Sequence, residues 1–577
     1  MQKKKLSYAE EQVNIKLDVG EQANLETVDF NDINRPKTCL EVDFPIIEVN
    51  QIATIEGNAG KPIYQMSKWW ARRRSSVFRA MILAAATKAP DDILEANKVV
   101  WNSYYKNHQN NEEFSNLNVA DIFMGGGTTI VEGSRLGMNM IGNDLNPVAW
   151  MVVKNELSKP NKEEVKKLVD NIELKVKPQI MPYYKCDCPR GHKGKWLKFE
   201  VENAPINPYL EYAKNEKEEK DFIKSISTFY GWSEWYKSHG YKFEIMDESF
   251  DIHTIKKEER KYFRYWGPEV IYTFWVKYAE CGVEGCNHRT PIIQTPIVSV
   301  KQFSIKYWSD HHCSKCNSIF DIEEKEARMS PEAEFIVSDK EKKYTVLKDN
   351  KTKCPHCGNV EDQSNLDRKK LKTKKVSLSL IISPEWIKGH SSLNEECQNK
   401  KFGGTNKDTF EDTKYWNEKV NSSAKLIEYR GSLPKEITLD DNTVLKTNDE
   451  GGTSKGRGKF VCSSCGTQQQ FSECTLKSGK DAPMSIYAIH GYCPECDSKG
   501  EVYNGRFFKD IVGDKTYDYA NKEWNLMKED ELKDYWPKSE IPFSHQTHQR
   551  DNLPSHGYKY WYEMFNSRQL LILSQLL

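Results

Sequence analysis

The stretch Val119-Ala120-Asp121-Ile122-Phe123-Met124-Gly125-Gly126-Gly127-Thr128-Thr129 reads as a hydrophobic strand that ends in a glycine turn and opens a helix over residues 129–136. Glycines at such a turn let main-chain N–H groups approach a nucleotide-like cofactor with no Cβ in the way, and the helix points its positive end at the same place. A second strand, residues 139–142, leads to Asp144, 23 residues beyond Asp121. An α/β nucleotide fold sets an acid on ribose hydroxyls at about that separation, so two strand ends are expected to converge on one site. A Gly-Gly-Gly turn alone would be ordinary loop chemistry.

The neighbours carry a resemblance. Asp-x-Phe-x-Gly-x-Gly-Thr-Thr, then Glu132-Gly133-Ser134-Arg135-Leu136-Gly137, then Asn143-Asp144-Leu145-Asn146-Pro147-Val148-Ala149, resembles the S-adenosylmethionine site of DNA amino-methyltransferases rather than a dinucleotide motif. Upstream, Phe44-Pro45-Ile46-Ile47-Glu48-Val49-Asn50, Lys68-Trp69-Trp70-Ala71-Arg72-Arg73-Arg74 and Arg79-Ala80-Met81-Ile82-Leu83-Ala84-Ala85 are similar to the opening of adenine-specific DNA methylases that carry a zinc-ribbon domain. Downstream, Gly557-Tyr558-Lys559-Tyr560-Trp561 and Phe565-Asn566-Ser567-Arg568-Gln569-Leu570-Leu571 resemble the segment that precedes the catalytic strand in that family. The resemblance implies that Asp121 sits near the methionine end of the cofactor and Asp144 on its ribose. The cofactor-binding set it implies is Asp121, Phe123, Gly125, Gly126, Gly127, Thr128, Asp144 and Asn146.

One expected piece is absent. Methylation of an exocyclic amine in that family uses Asp/Asn/Ser-Pro-Pro-aromatic, whose polar groups hold the amine while the ring stacks on the flipped base. No Pro-Pro pair occurs in this sequence. The nearest match, Ser383-Pro384-Glu385-Trp386, has Glu in place of the second proline and suits the end of a strand better. Catalytic residues therefore stay unassigned. The sequence stops in an apolar helical run, residues 570–577, which would expose its apolar face unless something covers it. The expectation is the first part of a methyltransferase, completed by a second polypeptide or by residues lost through truncation.

Fifteen cysteines in a chain without a signal sequence point to metal rather than disulfides. Cys313/Cys316, Cys354/Cys357, Cys462/Cys465 and Cys493/Cys496 are Cys-x-x-Cys knuckles, whose tight turn gives two thiolates adjacent positions on zinc. Sequence order pairs the first knuckle with the second and the third with the fourth. Cys281 and Cys286 could form a further site with Cys186, Cys188 and His192, or could join a later knuckle. Cys39, Cys397 and Cys474 have no close cysteine partner and read as plain thiols.

The 577 residues suffice for two to four domains, and no apolar run reaches the roughly 20 residues of a membrane span. A cytoplasmic protein with no membrane partner is expected. Lys+Arg and Asp+Glu are equal at 84, so contact with double-stranded DNA would have to come from local clusters. Candidates are Arg72-Arg73-Arg74 with Lys68 and Arg79, the lysines of residues 369–375, and Lys455, Arg457 and Lys459, each of which reads equally as solvated surface. Residues 161–177 and 215–230 have helical spacing, residues 270–278 alternate like a strand, and residues 399–412 and 449–459 read as loops.

The fold class expected is α/β, a Rossmann-like methyltransferase core, incomplete in this chain, with a large mainly antiparallel β zinc-ribbon insert. The divisions are an N-terminal extension (1–40), a cofactor-binding part (41–180), the insert (181–510) and a return segment (511–577). The activity that the resemblance implies is transfer of a methyl group from S-adenosylmethionine to the N6 amine of a flipped adenine, in restriction-modification or phage defence, with zinc as a structural metal. A catalytically inactive zinc-dependent DNA-binding subunit and an RNA methyltransferase are the alternatives.

Overall fold

The computed structural model describes residues 26–56, 73–106, 112–210, 213–391, 425–478, 484–500, 503–510, 515–556 and 558–577. Lys68, Trp69, Trp70, Arg72, Cys397, Gly557 and the loop at 399–412 lie outside these. The chain is a mixture of helix and sheet in two units, Met1–Val165 and Lys166–Leu577.

The first unit holds α1 (Ile46–Glu56), α2 (Ser75–Ala86), α3 (Ala96–Lys106), β1 (Asn118–Asp121), α4 (Thr128–Leu136), β2 (Asn139–Gly142) and α5 (Pro147–Leu157). Ala80 and Leu83 of α2, Trp101 of α3 and Leu136 of α4 share one buried cluster with Phe114 and Met138. β1 and β2 pair in parallel, Asp121 opposite Gly142, with α4 as the crossover between them. Parallel neighbours need such a crossover, and the resulting strand-helix-strand unit brings both strand C-termini to the same end. Each strand keeps one face bare: Ile141 is 61% exposed, and Ile122, just past β1, is also 61% exposed.

The second unit begins within α6 (Lys162–Ile180), which extends the 161–177 expectation by three residues. A three-stranded sheet follows, ordered β4-β3-β5, of β3 (Lys195–Phe199), β4 (Phe243–Ile245) and β5 (Phe263–Trp266). The single helix expected at 215–230 is two, Glu216–Ser225 and Phe229–Ser238. The break has a local cause: the Thr228 hydroxyl accepts the Gly231 N–H at 3.1 Å and starts a new helix there.

Two larger sheets fill the region read as a β insert. One has five strands, in the order His390–Ser391, His288–Pro291, Glu269–Glu280, Met484–Tyr492 and Arg506–Lys509. The other has six, and its wholly antiparallel expectation needs correction. Its inner strands, Leu426–Arg430, Lys372–Ile382, Ile297–His312 and Ile319–Glu323, are antiparallel, but Glu334–Val337 and Tyr344–Val346 add to its edges in parallel. Ser383-Pro384-Glu385-Trp386 does end a strand, with Trp386 buried in a short helix, Pro384–Lys388. The terminal helix Ser567–Leu576 buries Leu570 and Leu571 against Ala520, Trp524 and Met527, so this chain covers part of the apolar run expected to be bare, while Leu573, Leu576 and Leu577 stay exposed.

Glu428, fully buried in the six-stranded sheet, accepts the N–H groups of Met329 and Ser330, at 3.0 and 2.8 Å. Burial outweighs these bonds and pushes its carboxyl up to about 7. The folded state then holds a proton that the unfolded state releases, so stability falls as pH rises from about 4.5 to about 7. Glu428→Gln is expected to flatten that slope, worth on the order of 3 kcal/mol, in urea melts taken across the window.

Candidate cofactor turn and metal centres

The glycine turn is held from both strand ends. Met124 N–H bonds the Asn143 carbonyl at 3.0 Å, and Asn143 N–H bonds the Asp121 carbonyl at 2.9 Å. The Asp144 carboxylate spans the gap: Oδ2 accepts Gly125 N–H at 2.9 Å and Oδ1 accepts Asn146 N–H at 2.8 Å. The Asn146 and Gly125 amides hold this carboxyl below its ordinary value. Asp121 Oδ1 accepts the Phe123 N–H at 3.2 Å. The two acids thus bracket one turn, as the spacing predicts.

The other residues of the turn divide by task. Gly127 sits at φ 73° and starts α4; an added Cβ would lie 2.3 Å from Val153 Cγ2. Gly127→Ala therefore combines a left-handed backbone with a clash, and is expected to cost about 2–4 kcal/mol in chemical denaturation of the first unit. Thr128 is buried and donates its hydroxyl to the Arg73 carbonyl at 3.3 Å, and the Asn146 side chain caps α5 through Val148 N–H at 2.9 Å. Both are occupied structurally. Phe123 is 78% exposed and Leu145 is 96% exposed, and with Ile122, Ile141 and Val148 they make an apolar surface around the turn.

The basic candidates are partly spoken for. Arg79 pairs at 2.8 Å with Glu132, a fully buried acid of α4 that also meets Arg135 at 3.1 Å. In the 369–375 run, Lys374 pairs with Asp321 and Glu323, and Lys372 reaches the Ser309 hydroxyl at 2.9 Å. Lys369, Lys370 and Lys375 are exposed, as are Lys455, Arg457 and Lys459.

Three clusters of Cys and His in the second unit could each hold a metal ion, with all ligand atoms within 4.8 Å of one another. Cys313, Cys316, Cys354 and Cys357 come together as sequence order predicts. The pairing of the third knuckle with the fourth is corrected, while Cys281 and Cys286 do join a later knuckle, the second of the two arrangements open to them. Cys462/Cys465 meets Cys281/Cys286, and Cys493/Cys496 meets Cys188 and His192. The five-stranded sheet is the reason. Its strands Glu269–Glu280 and Met484–Tyr492 run antiparallel, with Tyr492 opposite Glu269 and Met484 opposite Lys277. Cys493 therefore emerges beside the chain entering from residue 186, whose Cys186 N–H bonds the Pro268 carbonyl at 3.1 Å. Cys281 leaves at the far end.

The sulfur spacings are 3.6 Å for Cys313–Cys357, 3.7 Å for Cys316–Cys354, 3.7 Å for Cys281–Cys465, 3.8 Å for Cys286–Cys462 and 3.6 Å for Cys188–Cys496. His192 Nδ1 lies 3.2 Å from Cys496 Sγ. A tetrahedron of thiolates bound at about 2.3 Å has edges of about 3.8 Å, and a disulfide would be far shorter. In each cluster one thiol is held below its ordinary value: Cys316 by the Ser318 hydroxyl, Cys465 by the Thr467 hydroxyl and Cys496 by the Cys188 thiol. Cys39 and Cys474 lie outside the clusters, and burial pushes the Cys39 thiol up to about 11.

His192 is the ligand whose partnering sequence reasoning missed. Its signal was Cys188-Pro189-Arg190-Gly191-His192, a half-knuckle with histidine as its second ligand. Among the described residues, no helix is long and apolar enough to cross a membrane. No curated protein and no solved structure matches the chain. Residues 43–117, which end just before β1, match a family described as a protein of unknown function, DUF1156.

Proposed function

We propose that this chain is the S-adenosylmethionine-binding part of a DNA adenine-N6 methyltransferase, with three structural zinc ions in its second unit. The observation that carries the reading is the Asp144 carboxylate seated between the amides of Gly125 and Asn146. A carboxylate has about four acceptor positions; two are used here, and one on each oxygen is left for a vicinal diol such as a ribose edge. Exposed Leu145 beside it offers an apolar surface to the attached base. Asp121, at the other side of the turn, suits a positively charged sulfonium or ammonium group.

The bound cofactor supplies an electrophilic methyl group to an amine. The chain's own residues orient it and exclude water on one side. Ligand sets of four Cys/His leave no open coordination position, so zinc shapes the second unit and takes no part in transfer. The absence of a Pro-Pro-aromatic motif favours a second reading, a zinc-dependent DNA-binding subunit without activity of its own.

Calorimetry with S-adenosylmethionine tests the site. Uptake by the wild-type chain is expected, with Asp144→Ala weakening it roughly tenfold or more. No uptake, with or without a completing polypeptide, would overturn the reading. Labelled methyl transfer to duplex DNA and to structured RNA separates the substrates, and transfer to RNA alone would exclude DNA.

A further inference from the structure

The cluster built on Cys188 and Cys493 differs in kind from the other two. Those are all thiol, whereas this one sets His192 beside Cys188, Cys493 and Cys496. His192 turns Nδ1 toward the sulfurs, 3.2 Å from Cys496 Sγ and 3.5 Å from Cys493 Sγ. Its other nitrogen, Nε2, faces the Lys499 ammonium at 3.2 Å. Glu495, four residues back, pairs with that ammonium at 3.2 Å and keeps it there.

A metal-binding histidine ordinarily donates its outer N–H to a carboxylate, a carbonyl or water. Here that nitrogen meets an ammonium, which has donors and no acceptor. With Nδ1 on zinc, the neutral ring carries its hydrogen on Nε2, and donor faces donor. With Lys499 donating to Nε2, the hydrogen sits on Nδ1, and the ring cannot bind zinc. His192 therefore serves the metal or Lys499, not both. A fourth sulfur stands beside the same cluster. Cys186 is outside the four-ligand set but is buried in one group with Cys188, Cys493 and Cys496. Burial raises the Tyr265 hydroxyl, and the Cys186 and Cys493 thiols add to the rise, so both sulfurs lie near one hydroxyl. The arm enters through a bridge of Lys185 with Glu269, and alternate residues of extended chain share a side, which sets Cys186 toward the side of Cys188.

From this juxtaposition we propose that Cys186 is a reserve ligand of this centre, taking the corner that His192 leaves when its ring turns to Lys499. The Zn–N bond breaks and a Zn–S bond forms; the Cys186 thiol gives its proton to solvent, and the ring keeps one hydrogen, now on Nδ1. The centre then passes from three thiolates to four and gains one negative charge. Cys186 shares its arm with His192, so it reaches that corner and not those of Cys493 and Cys496. The inference rests on the zinc reading of the cluster and is independent of methyl transfer.

The test is atomic emission and cobalt-substituted absorption spectra on the full chain. His192→Ala is expected to keep all three ions, with the sulfur-to-cobalt charge-transfer band stronger by one thiolate's share. Cys186→Ser should also keep three, through His192, while the double variant falls to two. Lys499→Ala lets Nε2 meet water and should slow release of the most labile ion to a chelator roughly tenfold, with near-UV circular dichroism unchanged. Loss of an ion in His192→Ala alone, three ions in the double variant, or unchanged release in Lys499→Ala would overturn the reserve. A wild-type chain that never takes a third ion would instead overturn the zinc reading on which it rests.

Discussion

Stripping metal from the protein with a strong chelator is expected to release three zinc ions per chain and to unfold the second unit. Each cluster gathers ligands from segments that the chain alone does not hold together: 44 residues separate Cys313 from Cys357, 184 separate Cys281 from Cys465, and 308 separate Cys188 from Cys496. Thiolates about 3.7 Å apart repel one another without a cation between them, so loss of the ion removes both the bond and the reason for the approach. In isolated zinc-finger peptides such a site contributes an apparent 10–16 kcal/mol or so, which exceeds the whole stability of most domains. Atomic emission counts the ions and near-UV circular dichroism follows the unfolding. The first unit, which has no such cluster among its described residues, should keep its helical signal. Cys493→Ser should lower the count by one, and a count that stays at three would refute the third centre.

The second large effect is expected at Glu323 and Arg430, both side chains fully buried. Arg430 Nη1 donates to Glu323 Oε2 at 2.9 Å, its second nitrogen bonds the other oxygen, and the Tyr344 ring lies 3.7 Å from the guanidinium carbon. Glu323→Gln leaves that guanidinium with Glu341, 3.9 Å away, as its nearest acid. Breaking one side of a buried pair costs about 3–5 kcal/mol because the remaining charge stays desolvated. The double variant Glu323→Leu with Arg430→Met removes both charges and should cost much less. Denaturant midpoints of Glu323→Leu, Arg430→Met and the double variant close the cycle, and equal losses would mean that the pair is not the unit of stability here.

The turn and the knuckles were legible in the sequence because each is local. Gly127 needs a left-handed backbone where it stands, and Cys-x-x-Cys places two sulfurs whatever the rest of the chain does. Asp144 was also legible, since a short crossover between parallel strands fixes how far apart two strand ends can fall. Partnering between knuckles was not, because it depends on which strands pair across hundreds of residues. The register that sets Tyr492 opposite Glu269 decides it, and no spacing near Cys493 announces that register. The parallel edges of the six-stranded sheet were hidden for the same reason: a three-residue strand such as Tyr344–Val346 carries no periodicity that tells its direction. Helix breaks at single caps, like Thr228, are visible only once the N–H they bind is known.

The span between Cys188 and Cys496 bears on how the protein is made. During translation the first pair of ligands leaves the ribosome roughly 300 residues before the second, at about 5–20 residues per second. For tens of seconds Cys188 and His192 stand open to oxidants and stray ions, and the sheet they help close cannot be finished. Contacts this distant in sequence form late in folding, so the yield of folded protein should track redox state and zinc supply during synthesis more than afterwards.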